Sequence, residues 1–279
     1  MNDIYEFDFT DPGARPPLPC TIFESDADLY HDIARTLYSE IEENNRKGKH
    51  TAAILPVGPV FQYRRFVQIC RKRPLDLSNL HCFFMDEYCD EKGELIDRSN
   101  PLSFYGFIDR ELVQSMPEEM QLKPDQVYFP DPKSPKAYDE RLAKLGSADT
   151  CYAGVGINGH LAFNEPPEPG ENMSIEEFAE LPTRLIALSR ETIVINSTTA
   201  MRGAFERVPA HAVTVGMKQI LAARRIRVYL NRPWQSSVLR KILFAPISVS
   251  FPATLIRQHG DAALGLTRLV AEKPEFALK

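Results

Sequence analysis

Two short stretches of the chain concentrate side chains able to move protons. In the first, Phe83-Phe84-Met85-Asp86-Glu87-Tyr88, two carboxylates follow directly on an apolar run. An acid in that position is partly desolvated, which raises its pKa toward that of a useful base. Aspartate at such a place also caps turns and helices, and both roles stay open at this point. The second stretch runs from Gly154 to Pro166, GVGINGHLAFNEP. There His160 and Glu165 flank an Ala-Phe-Asn segment and can meet across a tight loop. Histidine is the side chain most easily poised near neutrality, and a carboxylate beside it holds one tautomer and stabilises the imidazolium, the usual device of a general acid or base. A histidine satisfied by backbone carbonyls is the plain alternative. The glycines weigh against it, because they let backbone amides approach a ligand closely. Two acid–base sites imply a reaction that moves protons at two places on one small molecule.

The residues Gly154, Gly156 and Gly159 also spell G-x-G-x-x-G after an apolar strand-like run, the pattern of a dinucleotide-binding turn. That turn requires a helix opening at the third glycine, whose N-terminus meets the pyrophosphate. Pro166, Pro167 and Pro169 follow instead, so no adequate helix forms, and the motif lies halfway along the chain rather than in a first βα turn. A nicotinamide or flavin site is therefore not expected.

The elements that must position these residues alternate in type. Leu29, Ile33, Leu37 and Ile41 recur with helical spacing, with Asp26 and Asp28 in the favourable first turn, and predict a helix over 25–45. Apolar runs predict buried strands at 51–56, 80–85, 150–155 and 226–230, with a last strand-like run at 247–251 before a terminal helix. Helices are expected at 63–70, 101–115, 135–145, 215–222 and 235–244. Strands separated by helices imply right-handed crossovers, hence an α/β fold: a single open, mostly parallel, Rossmann-like sheet with helices on both faces. Ligands of such sheets bind beyond the carboxyl ends of the strands, near the point where strand order reverses. Residues 1–21, with four prolines, read as an extended N-terminal arm, and 22–279 as one domain without a linker or internal repeat.

The composition sets outer bounds. The 279 residues are 43% hydrophobic and 25% charged, which supports a sizeable core and excludes a disordered chain. With 33 basic against 38 acidic residues the net charge is -5, so nucleic acid and anionic membrane are not expected partners. The chain has no apolar run long enough to span a bilayer and begins with an acidic, proline-rich stretch where a signal peptide would be basic and then apolar, so a cytoplasmic location is expected. Five cysteines without C-x-x-C suggest reduced thiols rather than a disulfide framework or zinc site.

Segments 154–166 and 83–88 resemble the two signature segments of the glucosamine-6-phosphate deaminase/isomerase family. The resemblance extends to Ser99-Asn-Pro-Leu-Ser-Phe-Tyr105, to Thr183-Arg184 with Thr192 and Asn196-Ser197, to 208–216 and to Pro252-Ala253-Thr254-Leu255, covering residues 22–272. The related 6-phosphogluconolactonases keep a Gly-His in the loop but lack the Asn-Glu-Pro that follows here. The resemblance implies aldose–ketose isomerisation of an amino-sugar phosphate with loss of ammonia, and with no metal and no organic cofactor. Carried over by position, His160 opens the pyranose ring, Glu165 and Asn158 orient it, and Asp86 moves the proton from C2 to C1. Asn158 stands where part of the family has aspartate; its carbonyl can accept from the imidazole but brings no charge. Gly58, Glu87, Gly156, Gly159, Arg184 and Arg232 are the expected substrate-binding residues. The partner is a small-molecule sugar, and a homo-oligomer is a further expectation from the family.

The sequence departs from the family at the phosphate site. The usual hydroxyl-rich first loop reads Val57-Gly58-Pro59-Val60-Phe61, and Ile193 and Trp234 fall where the phosphate arginine and lysine belong. Arg232, Arg64 and Arg65 are the candidates to replace them. A phosphate dianion without charge-assisted partners is poorly held, so the expected substrate lacks the 6-phosphate or presents its anion differently. Segment 167–181 is longer than its family counterpart and is expected either to extend a lid or to form a surface insertion. The rival functions are a non-catalytic sugar-binding or regulatory protein, which has no need of a complete set of acid–base groups, and a sugar lactonase of the gluconolactonase type.

Overall fold

The computed structural model describes residues 3–9, 11, 13–58 and 60–277. Seven strands form a parallel sheet: β1 (Cys20–Phe23), β2 (Thr51–Leu55), β3 (Leu80–Phe84), β5 (Val127–Tyr128), β6 (Thr150–Ala153), β9 (Ile226–Leu230) and β10 (Ala262–Thr267), in the spatial order β1-β10-β9-β6-β2-β3-β5. The main helices are α1 (Asp26–Arg46), α2 (Gln62–Lys72), α3 (Phe104–Ile108), α4 (Pro135–Lys144), α5 (Ile175–Ala179), α6 (Arg190–Ala200), α7 (Met217–Leu221), α8 (Gln235–Phe244) and α9 (Arg268–Ala271). The expected open parallel sheet is therefore present.

Two-residue alternation along the strands divides the core. Ile54, Phe83, Cys151 and Val228 point into one apolar cluster, while Leu55, Phe84, Tyr152 and Tyr229 point into the other, on the opposite face, with α1 and α2. Burial of both faces is why β2 and β6 read as continuous apolar runs rather than as alternating ones. The chain winds from β2 outward to β3 and β5, then returns to place β6 on the other side of β2. Strand order thus reverses between β2 and β6, and the loops 56–60 and 154–160 leave the sheet at that crevice.

A second sheet, antiparallel and three-stranded, is an addition to the expected architecture: β4 (Asp86–Cys89), β8 (His211–Thr214) and β7 (Arg184–Ala187), with β8 in the centre. Met85 is the joint. Its amide donates to Leu55 O of the parallel sheet, and its carbonyl accepts from Val215 N beside β8. Asp86 is the first residue past the joint.

Three expectations change. Segment 247–251 is not a strand: Ser248 N and O and Phe251 O all bond the Thr254 hydroxyl, and prolines at 246 and 252 bracket the run, so side-chain bonds and the lost amides replace a ladder. The last strand is β10 instead. The helix over 101–115 starts only at Phe104, where Ser103 caps it, and passes into a π-helical turn over Asp109–Val113. The boundary drawn between residues 21 and 22 falls inside β1, which pairs with β10. Preceding it, Phe7 packs on Phe244, and Arg240 of α8, 0% exposed, donates to the carbonyls of Phe7, Ala271 and Ser236.

Candidate functional site

A cavity of about 470 Å³ opens at the crevice between β2 and β6, within the size range of small-molecule sites. Its floor is built by the strand-end loops, Pro56 to Gly58, Met85-Asp86, Gly154 to Gly156, and Asn231 to Gln235. Its roof comes from 101–107 and from Ile195, Asn196, Thr199 and Ala200 of α6.

Asp86 and His160 both line this cavity. Asp86 is 7% exposed, and burial, with the Glu87 charge next to it as the lesser cause, pushes its carboxyl up to about 8. Among the described residues it meets no side-chain donor that would favour the ionised form. Such a group is held protonated at neutral pH and becomes a strong base once its proton leaves.

His160 sits in a network on its Nδ1 side. Nδ1 lies 2.9 Å from Asn158 Oδ1, 3.2 Å from Glu165 Oε2 and 3.2 Å from the Thr192 hydroxyl. Asn158 Nδ2 donates to the same Glu165 oxygen at 2.7 Å and to Ser189 Oγ at 3.0 Å. Ser189, the cap of α6, donates from its hydroxyl to Glu165 Oε2 and from its amide to Oε1. Burial alone would raise the Glu165 carboxyl. Hydrogen bonds from His160, Asn158 and Thr192, with the attraction of the imidazole charge, outweigh it and hold Glu165 down to about 2. With Nδ1 engaged, Nε2 is the nitrogen left to act on a ligand.

The loop that carries this network is shaped by close approaches. A Cβ on Gly156 would lie 2.1 to 2.6 Å from three atoms of the His160 ring, so the imidazole packs directly on that backbone. Gly156 N also accepts its place in the loop by donating to His160 O at 3.0 Å. Gly159, at φ +88°, would drive a Cβ into the Phe251 ring. Ala162, which lines the cavity, holds φ 52° without being glycine, a strained backbone of the kind that clusters at functional sites. Asn164, completely buried, staples the loop through Nδ2 to Leu161 O and Val215 O. No helix follows until α5, consistent with rejection of a dinucleotide turn.

The remaining predicted residues divide. Gly58, Gly156 and Arg232 line the cavity. Glu87, expected to bind substrate, faces away from Asp86 as its strand neighbour must; its carboxylate accepts from the amides of Tyr88, Phe104 and Tyr105 and from the Ser103 hydroxyl, which makes it the anchor of α3. Arg184, also expected at the substrate, spends its guanidinium on Asn164 Oδ1 and Pro182 O, outside the cavity lining. Gly159 likewise serves loop packing. Arg64 is paired with Glu111, and Arg65 reaches Gln68 on the outer side of α2. Ile193 packs against the cluster of Tyr88, Phe163 and Leu188, whereas Val57 and Trp234 do line the cavity. Pro59 lies outside the described residues. Segment 167–181 carries α5 with its Ser174–Glu177 capping box, but Phe178 is buried in the main core and Leu181 O accepts from Lys218 N of α7; no residue of this segment lines the cavity, whereas Ile195, Asn196, Thr199 and Ala200 of α6 do. Ser189 and Thr192 were missed as site residues. Their signal was the helix-capping spacing Ser-x-x-Thr at the head of α6, which by itself says nothing of a ligand.

No family model matches the chain. Among curated proteins it is similar to glucosamine-6-phosphate deaminases: 25% identical over 218 residues to that of Mycoplasma mycoides, covering 77% of this chain and 81% of the relative. With the Clostridium botulinum enzyme it shares 26% identity over 221 residues, 77% and 82% of the two chains. Among solved structures, a monomeric glucosamine-6-phosphate deaminase of the NagB superfamily matches with a TM-score of 0.77 at 23% identity, over 91% of this chain and 99% of that one. The 6-phosphogluconolactonase from Trypanosoma cruzi matches with a TM-score of 0.65 at 19% identity, over 92% and 96%. At these identities the structural likenesses establish a shared fold.

Proposed function

We propose that the chain, similar to glucosamine-6-phosphate deaminases in sequence and fold, is a divergent member of the glucosamine-6-phosphate deaminase/isomerase family and that it converts an amino aldose to a ketose with release of ammonia. The observation that carries this reading is the placement of two unlike acid–base groups in one cavity, Asp86 with a carboxyl pushed up to about 8 and His160 backed by a carboxylate held down to about 2. Unequal environments assign unequal roles.

His160, through Nε2, moves the proton between the ring oxygen and the C1 hydroxyl that opens the pyranose; Glu165 stabilises the imidazolium, and Asn158 fixes the ring's orientation. Asp86, once ionised, takes the C2 proton of the open aldehyde while a proton of the substrate's ammonium passes to O1 by way of His160, leaving an enolamine, and Asp86 then gives its proton to C1, so that the ketimine forms in its protonated state. The product is a ketimine at C2. Addition of water there and departure of ammonia leave the ketone, so one water is consumed for each ammonia released. The protein's own side chains suffice for each proton in this scheme. We read the enzyme as soluble and cytoplasmic, acting on a small amino sugar. Among the described residues no helix is long and apolar enough to cross a membrane.

The test is a coupled assay of ammonia and ketose formation by purified protein on hexosamines, with and without a 6-phosphate. Stoichiometric appearance of both products supports the reading; binding without turnover would instead favour a sugar-binding protein, and the His160→Ala variant separates the two, since an enzyme loses turnover and a binder keeps its affinity.

A further inference from the structure

We infer that the Tyr88 hydroxyl binds substrate by donating its proton to the 3-hydroxyl of the amino sugar, because it is a buried phenol on the cavity wall whose hydrogen no described residue accepts. The inference rests on the reading given under Proposed function.

Strand β4 brings Tyr88 to this place. Residues two apart on a strand share a face, and Asp86 and Tyr88 both line the cavity, while Glu87 between them turns to the head of α3. Tyr88 is 3% exposed, and its ring packs on those of Phe104 and Phe163, with centroids 4.8 and 5.7 Å away. The hydroxyl at its end meets the roof, where Asn196 Nδ2 donates to it at 3.0 Å. That bond uses the phenol oxygen as an acceptor, and the hydrogen has no acceptor of its own among the described residues. Burial raises the phenol above its ordinary pKa, so the proton stays on the oxygen at neutral pH. A buried hydroxyl that does not donate costs free energy. An acceptor brought into the cavity removes that cost.

The chemistry at C2 selects the sugar atom. With the C2 hydrogen at Asp86 and C1 directed to His160, the substituents of C2 that remain are the nitrogen and C3. The nitrogen enters as an ammonium, which has donors and no lone pair, so it cannot accept from a phenol. The hydroxyl of C3 can, and it is the first oxygen beyond C2 on the side away from C1. The placement of the two protein groups agrees. His160 follows β6 and is reached sideways across the parallel sheet, whereas Tyr88 lies further along the strand that begins with Asp86. One group attends the C1 end and the other the C3 end, which holds the C2 hydrogen at the carboxylate between them.

The experiment measures kcat/KM for ammonia release by the full chain on glucosamine, glucosamine 6-phosphate and the 3-deoxy form of each, in wild type and in Tyr88→Phe, per folded molecule as judged by circular dichroism. On the parent sugar that the wild type turns over, loss of the 3-hydroxyl should cost about tenfold to a hundredfold. Tyr88→Phe should lose a similar factor on that parent and no longer distinguish it from its 3-deoxy form. A variant that slows both sugars by the same factor overturns the inference, because the phenol then serves only to hold α6 through Asn196. A variant as active as wild type on both overturns it too, and either result leaves the proposed reaction standing. Absence of ammonia from every sugar with the wild type overturns the proposed reaction and this inference with it. Should Tyr88→Phe not fold, the wild type decides: equal kcat/KM with and without the 3-hydroxyl overturns the inference, and the expected loss supports it.

Discussion

The Thr192 hydroxyl lies 3.2 Å from Nδ1 of His160, so the helix that roofs the cavity ends in the same hydrogen-bond network as the imidazole beneath it. Three residues further back, Ser189 both caps α6 and contacts Glu165. One turn further on, Asn196 donates to Tyr88 OH on the opposite wall. Movement of α6 therefore changes the surroundings of His160 directly.

Thr192→Val should lower kcat by about tenfold while leaving the fold intact, because a general acid of unchanged identity loses one orienting contact. Steady-state ammonia release beside a thermal melt checks this. An unchanged kcat would mean that the Thr192 contact plays no part in positioning.

Asp86→Asn should reduce kcat by about a thousandfold or more and at the same time stabilise the protein at alkaline pH. The folded carboxyl titrates near 8, above its unfolded value of 3.8. The folded state thus holds this proton more tightly than the unfolded chain, so its contribution to stability is complete below the unfolded pKa and is lost as pH rises through about 8. The amide carries no such liability. Urea denaturation at pH 8.5 should show a gain on the order of 2 kcal/mol or more, each pKa unit being worth about 1.4 kcal/mol.

The pH profile of kcat/KM in the wild type should rise with pH up to about 8, since Asp86 must be ionised to act as base. Glu165 works in the opposite direction: held down to about 2 from 4.5, it contributes stability above its unfolded value that is lost as pH falls through about 2. Glu165→Gln should thus be less stable than wild type at pH 6 and should lose most of its dependence of stability on acid pH, as read by denaturation between pH 6 and 3.

Glu87→Gln should destabilise by about 2–4 kcal/mol, the cost of turning an amide group toward buried donors, because four donors converge on that carboxylate. Activity per folded molecule should fall far less than in Asp86→Asn. Equal losses of activity in the two variants, at equal folded fraction, would return Glu87 to the substrate.

Gly156→Ala should abolish most turnover with little loss of secondary structure, since the new methyl must displace the imidazole it would otherwise touch. Circular dichroism together with the ammonia assay distinguishes a displaced His160 from an unfolded chain.

The central sheet was legible in the sequence because β2 and β6 are buried at every position and β3 and β9 are interrupted only by the half-buried His81 and Arg227, so all four read as nearly continuous apolar runs. The antiparallel sheet was not. Its strands are only four residues each, and Asp86-Glu87 inside β4 looks like a loop on propensity; pairing with β8 overrides it. Strand β10, between β1 and β9 and with Gly265 in its middle, was passed over for the β-branched run at 247–251. At the site, Asp86 and His160 were visible from type and spacing, whereas the contacts of Ser189 and Thr192 with Glu165 and His160 cross from a distant helix, of which the sequence showed only a Ser-x-x-Thr capping spacing. Arg184 and Glu87 were assigned by motif position, and three-dimensional packing redirected both to holding the loop and α3.

Arg240 puts a full positive charge at 0% exposure and answers it with main-chain oxygens from opposite extremities of the described chain, Phe7 and Ala271. Those oxygens are interchangeable with no solvent. Trimming the arm through Phe7 would strip Arg240 Nη2 of one of its two carbonyl acceptors in a dry interior, so a shortened protein that precipitates should be read as a buried cation left partly unpaired rather than as proof that the arm takes part in turnover.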